Sequence, residues 1–360
     1  MRLALRLAQR GRGSTSPNPM VGAVLVRNNR IIGRGWHRRA GEPHAEIEAI
    51  RDASARNEKV AGATLYVTLE PCCTQGRTPP CTQAIQAAGI TRVVAAAIDP
   101  NPAHAGKGLR LLQRAGIEVA SGLLESEATR LNEAFSHWIT RHSPFVTVKA
   151  AMSLDGKIAT ASGESKWITG SPARAVGMKL RQEADAILVG VNTVLADDPR
   201  LTRRGGPRNA KPLRRIILDS LARTPPDAQV VSDAFSAATT VVVTRAAPAG
   251  RVRRLSKRVT LWTAPARDGR IDLQWLLRKL GKEGITSLLV EGGGEVNASF
   301  FMEKLGQRVV FFYAPKLIGG RDAIKAVAGA GFQNLNEAIR LREVQWRRLG
   351  PDILLSARSD

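Results

Sequence analysis

The sequence predicts an α/β protein built from two domains. Its 360 residues suit two domains, because a domain usually holds roughly 100–200 residues. Hydrophobic residues make up 43% of the chain, which is enough for well-filled cores and excludes a disordered protein. Apolar, strand-like runs alternate with helix-like stretches, and this β-α-β rhythm is typical of an α/β layer sandwich. We place the boundary near Arg141–Pro144, which gives domains of residues 1–143 and 144–360.

The first domain alternates predicted helices and strands. The basic stretch Met1–Gly13 predicts an amphipathic helix that ends at Gly11 or Gly13, although a transit peptide has a similar composition. A hairpin follows, with its turn at Asn28-Asn29, and then a helix opened by Pro43. The elements after the first helix are strands Val21–Val26 and Arg30–Trp36, helix His44–Ala55, strand Ala63–Leu69, helix Cys81–Ala88, strand Val93–Ile98 and helix Gly108–Ala115.

The second domain is predicted to begin near Pro144 with an apolar strand. No apolar run approaches the ~20 residues that span a bilayer, so we expect no membrane segment here or elsewhere. The predicted elements are strand Phe145–Ala151, helix Pro172–Ala184, strands Ala186–Val191, Ile216–Asp219 and Thr240–Thr244, helix Leu273–Leu280, strand Ser287–Glu291, helix Val296–Lys304, and strands Val309–Tyr313 and Ile353–Ser356.

The chain is strongly basic, with a formal net charge of +23. Such a charge can serve a nucleic-acid partner. Aromatic residues make up only 4% of the chain, however, which is too few for a base-stacking platform. We interpret the charge as a solvated surface that also attracts phosphorylated small molecules, and we expect no nucleic-acid partner. The arginines form scattered pairs and no dense block, as in Arg203-Arg204, Arg214-Arg215 and Arg253-Arg254.

Four residues carry the clearest chemistry: His44, Glu46, Cys72 and Cys81. One imidazole, one carboxylate and two thiolates in this order are the ligands and the acid/base group of a zinc hydrolytic deaminase. The imidazole and the two thiolates leave a fourth zinc position open for water, and Glu46 is predicted to carry the proton. Residues two apart do not share a helix face, so His44 and Glu46 can converge only at a helix end, which Pro43 provides.

The choice of the first thiolate leaves an alternative open. Cys73 could pair with Cys81, but Pro71-Cys72 matches the Pro-Cys of deaminases, so we favour Cys72. The separation of Cys72 from Cys81 is wider than the common Pro-Cys-x-x-Cys, which argues against the usual tRNA-adenosine, cytidine and guanine deaminase pattern. Three cysteines make no disulfide framework, and we expect a reducing, cytoplasmic location.

Taken together, the motifs resemble those of the bifunctional riboflavin-biosynthesis deaminase–reductases over almost the whole chain. The resemblance combines the zinc motif with a distinctive second half. The motifs that carry it are Ser16-Pro17-Asn18-Pro19 with Val21-Gly22, Pro43-His44-Ala45-Glu46, Glu70-Pro71-Cys72 with Gly76–Cys81, Asp99-Pro100-Asn101-Pro102, Ser153–Lys157, Ala196–Pro199 and Val290–Gly293.

This resemblance implies a cytidine-deaminase-like, three-layer α/β/α N-terminal domain and a dihydrofolate-reductase-like α/β C-terminal domain. It implies zinc-dependent deamination of 2,5-diamino-6-ribosylamino-4(3H)-pyrimidinone 5′-phosphate in the first domain. NADPH-dependent reduction of the ribosyl side chain would follow in the second, giving 5-amino-6-ribitylamino-2,4(1H,3H)-pyrimidinedione 5′-phosphate. The implied cofactors are Zn²⁺ and NADPH, the partner is a phosphorylated pyrimidine ribotide, and a homo-oligomer is expected.

The resemblance also assigns residues to each site. It places the zinc ligands on His44, Cys72 and Cys81 and the proton carrier on Glu46. It places nicotinamide-cofactor contacts on Ala151, Trp167, Thr169, Thr193, Asp197, Ser220, Gly293, Gly294, Glu295, Val296, Asn297, Ala298 and Ser299. It places substrate contacts on Ser165, Arg181, Leu201, Arg204 and Glu291.

The residues of the second domain are less specific by themselves. The Gly292–Gly294 turn before a predicted helix can cradle phosphate, and Arg181 and Arg204 suit bidentate phosphate recognition. A plain turn and surface arginines are equally compatible with the spacing. Asp155-Gly156 predicts a hairpin turn. The remaining histidines are interpreted as non-ligands: His37, His104, His137 and His142.

Two other functions compete with the bifunctional enzyme. A nucleic-acid base deaminase acting on tRNA would use the basic second domain to hold RNA. A structural zinc protein would bind partners without catalysis, and Glu46 would then have no chemical role.

Overall fold

The computed structural model describes residues 1–74, 79–203 and 212–359. The chain divides into two compact units, Met1–Ser143 and Pro144–Asp360. Each unit has its own sheet and its own hydrophobic cores. The α/β fold class predicted from the sequence is confirmed in both.

The first unit begins with a short helix that continues as a 3₁₀ turn, Gln9–Gly11. Its helices and strands are α1 Arg2–Ala8, β1 Gly22–Arg27, β2 Arg30–Trp36, α2 Ala45–Ala55, β3 Thr64–Val67, α3 Cys81–Ala87, β4 Arg92–Ala95, α4 Lys107–Arg114, β5 Glu118–Ser121, α5 Glu125–Leu131 and α6 Glu133–Arg141.

These strands form one mixed sheet in the order β2-β1-β3-β4-β5. Strand β1 runs antiparallel to β2 and β3, whereas β3, β4 and β5 run parallel to one another. Successive side chains of a strand point to opposite faces. Ala23 and Leu25 therefore pack in one core with α2, α3 and α4, while Val24 packs against α1 on the other face. The sheet lies between two helical layers, which confirms the predicted three-layer arrangement.

Close packing of α2 on β2 fixes where α2 begins. An added Cβ at Gly35 would collide with the carbonyl oxygen of Ala45, and one at Gly33 with that of Ala49. Any side chain at these positions would push the helix away from the sheet. The two glycines therefore hold His44, which is the N-cap of α2, close to the sheet.

The second unit contains a larger set of elements, with additional 3₁₀ turns at Ser236–Ala238 and Leu335–Glu337. They are β6 Phe145–Ser153, β7 Lys157–Ala159, α7 Ser171–Glu183, β8 Ala186–Gly190, α8 Val191–Asp197, β9 Arg214–Leu218, α9 Gln229–Ser232, β10 Thr239–Val243, α10 Ala249–Ser256, β11 Thr260–Thr263, β12 Ala266–Arg267, β13 Arg270–Ile271, α11 Leu273–Lys282, β14 Ser287–Val290, α12 Gly294–Met302, β15 Arg308–Ala314, β16 Ile324–Lys325, β17 Leu341–Leu349 and β18 Asp352–Ser359.

A nine-stranded sheet organises this unit, in the order β11-β10-β9-β8-β14-β6-β15-β18-β17. The strands from β11 to β15 in this order are parallel, and β18 and β17 are antiparallel additions. Leu188 of β8 packs with α11 and α12, while Ile187 and Val189 pack with α8 and α10. Helices thus cover both faces, and the carboxyl ends of the parallel strands share one edge, where α/β sheets bind ligands.

Most predicted elements are present in type and order, with ends shifted by a few residues. The predicted hairpin at Asp155-Gly156 is wrong in its pairing. The turn exists, with Gly156 at a φ of +78°, but within the described ranges β7 pairs with β16 and not with β6. None of the helices in the described ranges is both long and apolar enough to cross a membrane.

Candidate active sites

The first unit brings three donor atoms together from separate elements. His44 caps α2, Cys72 follows β3, and Cys81 is the first residue of α3. The Nδ1 atom of His44 lies 3.6 Å from Cys72 Sγ and 3.3 Å from Cys81 Sγ. All three donor atoms lie within 4.8 Å of one another. Tetrahedral zinc ligands at about 2.0 Å for nitrogen and 2.3 Å for sulfur lie about 3.5 Å apart, so this donor set fits zinc.

The two thiols share a single proton when no metal is present. The thiol of Cys81 donates to Cys72, and with help from His44 this lowers the pKa of Cys72 to about 4 against the effect of burial. The backbone N–H of Cys81 also donates to Cys72 Sγ at 3.3 Å. The pKa of Cys81 is raised, first by the same thiol–thiol hydrogen bond and then by burial. One thiolate is therefore already formed, and a bound cation would release the second proton.

Cys73 points to different partners. Its Sγ atom lies 3.6 Å from Nδ1 of His104, whose Nε2 lies 3.4 Å from the hydroxyl oxygen of Thr74. Cys73 is therefore outside the cluster formed with His44. The sequence showed no partner for His104, because the two segments are about thirty residues apart in the chain.

Glu46 lies in the first turn of α2, two residues after His44, and is only 3% exposed. Burial is the main reason that the pKa of its carboxyl is raised above the ordinary value. The thiol of Cys81 donates a hydrogen bond to it. A carboxyl with a raised pKa beside the donor cluster can both accept and release a proton near neutral pH.

His37 supports the position of His44. The two imidazole rings meet edge to face, with centroids 5.3 Å apart. The Nδ1 atom of His37 lies 3.1 Å from the carbonyl oxygen of Pro43, and its Nε2 lies 3.1 Å from the side-chain amide of Asn18. Burial is the main cause of its lowered pKa. A neutral imidazole at this place adds no charge beside the donor cluster.

Glu70 is a structural residue of this site that the sequence did not assign. It is 4% exposed, and its carboxylate accepts backbone N–H bonds from Asp99, Gly106, Gly108 and Leu109. This clamp joins the chain leading into the cysteines to the start of α4. The one sequence signal was its place directly before Pro-Cys.

In the second unit, several predicted cofactor residues lie at the carboxyl edge of the sheet. Thr193 follows β8, Ser220 follows β9, and the Gly292–Gly294 turn follows β14. Helix α12 has no side-chain N-cap bond. An added Cβ at Gly293 would have only Thr193 Oγ1 nearby, at 4.0 Å. This open turn with unsatisfied helix N–H groups fits a phosphate of a dinucleotide.

Other predicted residues occupy the segment before α7 and the end of α8. Ser165 donates to Asp197 Oδ1 at 3.4 Å. Trp167 is 65% exposed, with the Arg174 guanidinium 4.7 Å from its ring centre. Thr169 is buried, and its carbonyl oxygen accepts a bond from Arg174.

The remaining predicted residues differ in how far they reach a ligand. Ala151 lies on β6, and the residues after Gly293 form α12. The side chain of Leu201 is 3% exposed and belongs to the core, which leaves its backbone for any substrate contact. Asn297 is also buried, and its amide donates to the carbonyl oxygen of Ala326. Arg204 lies outside the described residues.

A charged cluster joins three elements of this unit. Arg181 of α7 forms a fork with Glu291, at 2.7 Å from Nε to Oε1 and 2.9 Å from Nη2 to Oε2. Lys149 of β6 lies 3.4 Å from Glu291 Oε2. Burial alone would raise the pKa of Glu291, but the two cations lower it to about 2. Lys149 was missed, although a lysine inside the apolar strand Phe145–Ser153 was a signal.

Replacing Glu291 with glutamine should destabilise the second unit, because two mostly buried cations lose their counter-charge. Removing one partner of such a pair costs about 3 kcal/mol, or roughly 6–12 °C in the melting temperature of a unit this size. The folded pKa lies below the ordinary value, so this stabilisation is complete above about pH 5 and is lost as the pH falls towards 2. Calorimetry of Glu291→Gln at pH 7 and pH 3 measures it.

Glu283→Gln is the matched control, because Glu283 pairs with Arg214 at the surface and should change the melting temperature little. An equal loss for Glu291→Gln at both pH values would contradict the charge argument.

The folds and donor sets define the class of this protein: a zinc-binding deaminase unit followed by a reductase unit. Residues 1–97 match the family described as the cytidine and deoxycytidylate deaminase zinc-binding region, and residues 144–355 match the RibD C-terminal domain. The chain belongs to the family of the riboflavin biosynthesis protein RibD.

Named relatives cover nearly the whole chain. The RibD protein of Actinobacillus pleuropneumoniae is 45% identical over 99% of this chain and 93% of its own length. That of Escherichia coli K12 is 42% identical, over 99% of this chain and 97% of its own length. The structure of Acinetobacter baumannii RibD, form 1, matches with a TM-score of 0.87 and 37% identity, covering 100% of this chain and 97% of that one.

A further structure names both activities. The diaminohydroxyphosphoribosylaminopyrimidine deaminase/5-amino-6-(5-phosphoribosylamino)uracil reductase of Thermotoga maritima matches with a TM-score of 0.83 and 34% identity, covering 100% of this chain and 97% of that one. These matches confirm the predicted deaminase–reductase and its two cofactors, zinc and NADPH. The tRNA deaminase alternative is not favoured.

Proposed function

We propose that this chain deaminates 2,5-diamino-6-ribosylamino-4(3H)-pyrimidinone 5′-phosphate and then reduces its ribosyl side chain to ribityl. The observation that carries the proposal is the convergence of His44, Cys72 and Cys81 beside buried Glu46. The activities named for the Thermotoga relative support the choice of substrate.

In the first reaction, His44, Cys72 and Cys81 hold zinc, which when bound lowers the pKa of a water ligand. Glu46 accepts a proton from the attacking water and passes it to the departing amine. The bond from ring carbon to amine breaks, a carbonyl forms and ammonia leaves. The raised pKa of Glu46 suits it to hold this proton between the two steps.

In the second reaction, NADPH supplies the hydride when bound. The open turn at Gly293 receives the cofactor phosphates, and the predicted contacts from Ala151 to Ser299 hold the rest of the dinucleotide. Ser165, Arg181, Leu201, Arg204 and Glu291 hold the ribotide. The fork to Glu291 fixes the Arg181 guanidinium, and Lys149 adds a second cation next to it. Two cations around one carboxylate can bind an anionic substrate without moving far.

Domain limits of 1–143 and 144–360, a cytoplasmic location and a homo-oligomer belong to the same proposal. Free thiol ligands need reducing conditions, which supports the location. Ammonia release from the diaminopyrimidine ribotide, measured beside release from tRNA, tests the function. We expect ammonia from the ribotide alone, and deamination of tRNA alone would overturn the proposal.

A further inference from the structure

The second unit contains a basic cavity that the predicted cofactor and substrate contacts leave unused. Its volume is about 270 Å³. It opens beside the loop that follows β9, and helix α10 forms its other wall. The cavity is lined by Ala222, Arg223, Thr224, Pro225, Pro226, Arg251, Arg254 and Leu255.

Helix α10 presents two of the arginines on one face. Arg251, Arg254 and Leu255 are spaced as i, i+3 and i+4, so they share a face. Leu255 is 1% exposed and anchors that face in the core. Arg253 lies on another face of the helix and does not line the cavity.

The charge of the cavity has no acidic partner within the described ranges. Arg223 donates from Nη2 to the side-chain oxygen of Asn192 at 2.8 Å, which is a neutral group. Neither Arg251 nor Arg254 forms an ion pair with a described carboxylate. Three guanidinium groups around one small cavity therefore favour an anion with more than one charge.

The cavity continues a line of cofactor residues along the carboxyl edge of the sheet. The Gly293 turn follows β14, Thr193 and Asn192 follow β8, Arg223 follows β9, and α10 follows β10. These four strands are consecutive neighbours, spaced about 4.8 Å apart. A dinucleotide with its pyrophosphate at Gly293 and its chain laid along this edge would bring its adenosine end to the arginines.

We propose that Arg223, Arg251 and Arg254 bind the 2′-phosphate of the adenosine ribose of NADPH and so select NADPH over NADH. The inference rests on the proposed reductase function of this unit. A phosphomonoester carries nearly two negative charges at neutral pH, and arginine forks match its oxygens. NADH has a neutral hydroxyl at this position and leaves the three cations without a counter-charge.

Calorimetric titration of the full chain with NADP⁺ and with NAD⁺ tests this directly, without turnover. The test variant is Arg251→Gln with Arg254→Gln, and the control is Arg253→Gln on the same helix. We expect the wild type to bind NADP⁺ more tightly. The double variant should lose about tenfold to hundredfold in affinity for NADP⁺ and keep its affinity for NAD⁺. Arg253→Gln should bind both as the wild type does.

Three results would overturn the inference while the reductase proposal stands. They are equal affinity of the wild type for the two dinucleotides, unchanged NADP⁺ binding by the double variant, and an equal loss for Arg253→Gln. A loss of NAD⁺ binding in the double variant would also overturn it, because the cavity would then hold a part common to both dinucleotides. Binding of neither dinucleotide to the wild type would remove the inference and the reductase proposal together.

Discussion

Replacing Glu46 with glutamine should stop deamination while zinc stays bound. The amide has the shape of the carboxyl but can neither accept nor release the proton that moves from water to the departing amine. Loss of a positioned acid/base group costs about 10²- to 10⁴-fold in rate. Ammonia release measures the loss, and metal analysis should still find one zinc per chain, because Glu46 is not among the three converging donors.

Glu48→Gln is the matched control for this variant. Glu48 lies on the same helix and pairs with Arg38 and Arg51 at the surface, so its deamination rate should stay near that of the wild type. Unchanged deamination in Glu46→Gln would favour a structural zinc protein or another proton carrier. Loss of zinc in that variant would make Glu46 a ligand instead.

Replacing Cys81 with alanine should remove both zinc and deamination. Cys81 supplies one of only three protein donors and also donates the hydrogen bond that holds the Cys72 thiolate. Two donors bind zinc too weakly to survive dialysis against a mild chelator, so zinc per chain should fall from one to near zero. Reductase activity, measured on the deaminated intermediate, should persist because its residues lie in the other unit.

The neighbouring cysteines give this experiment its control. Cys72→Ala should behave as Cys81→Ala does, whereas Cys73→Ala should keep zinc and deamination, since Cys73 lies beside His104. Zinc kept in Cys72→Ala but lost in Cys73→Ala would show that Cys73 is the ligand and that the geometry described above is wrong.

The zinc cluster could be predicted because its chemistry is local in sequence. His44 and Glu46 are two residues apart, and Cys72 and Cys81 each lie beside a proline. The apolar runs also predicted the core strands, because a strand buried on both faces reads as continuous valine, isoleucine and leucine. The sheet order was not predictable, since it depends on which strands meet across the chain.

The features that the sequence missed depend on long-range contacts or on exposed edges. Glu70 bonds the backbone of Gly106 and Gly108, which are 36 and 38 residues away. Strand β17 is exposed along most of its length and so has no apolar run. Lys149 has a role only because α7 and β14 bring Arg181 and Glu291 to it.

The central claim is that one chain performs two reactions in a fixed order, and withholding NADPH tests it most directly. With the diaminopyrimidine ribotide alone, the full chain should release one ammonia per substrate and accumulate the deaminated ribosyl compound. Adding NADPH should then oxidise one NADPH per accumulated molecule and release no further ammonia. NADPH oxidation before any ammonia release, or no ammonia release at all, would contradict the account.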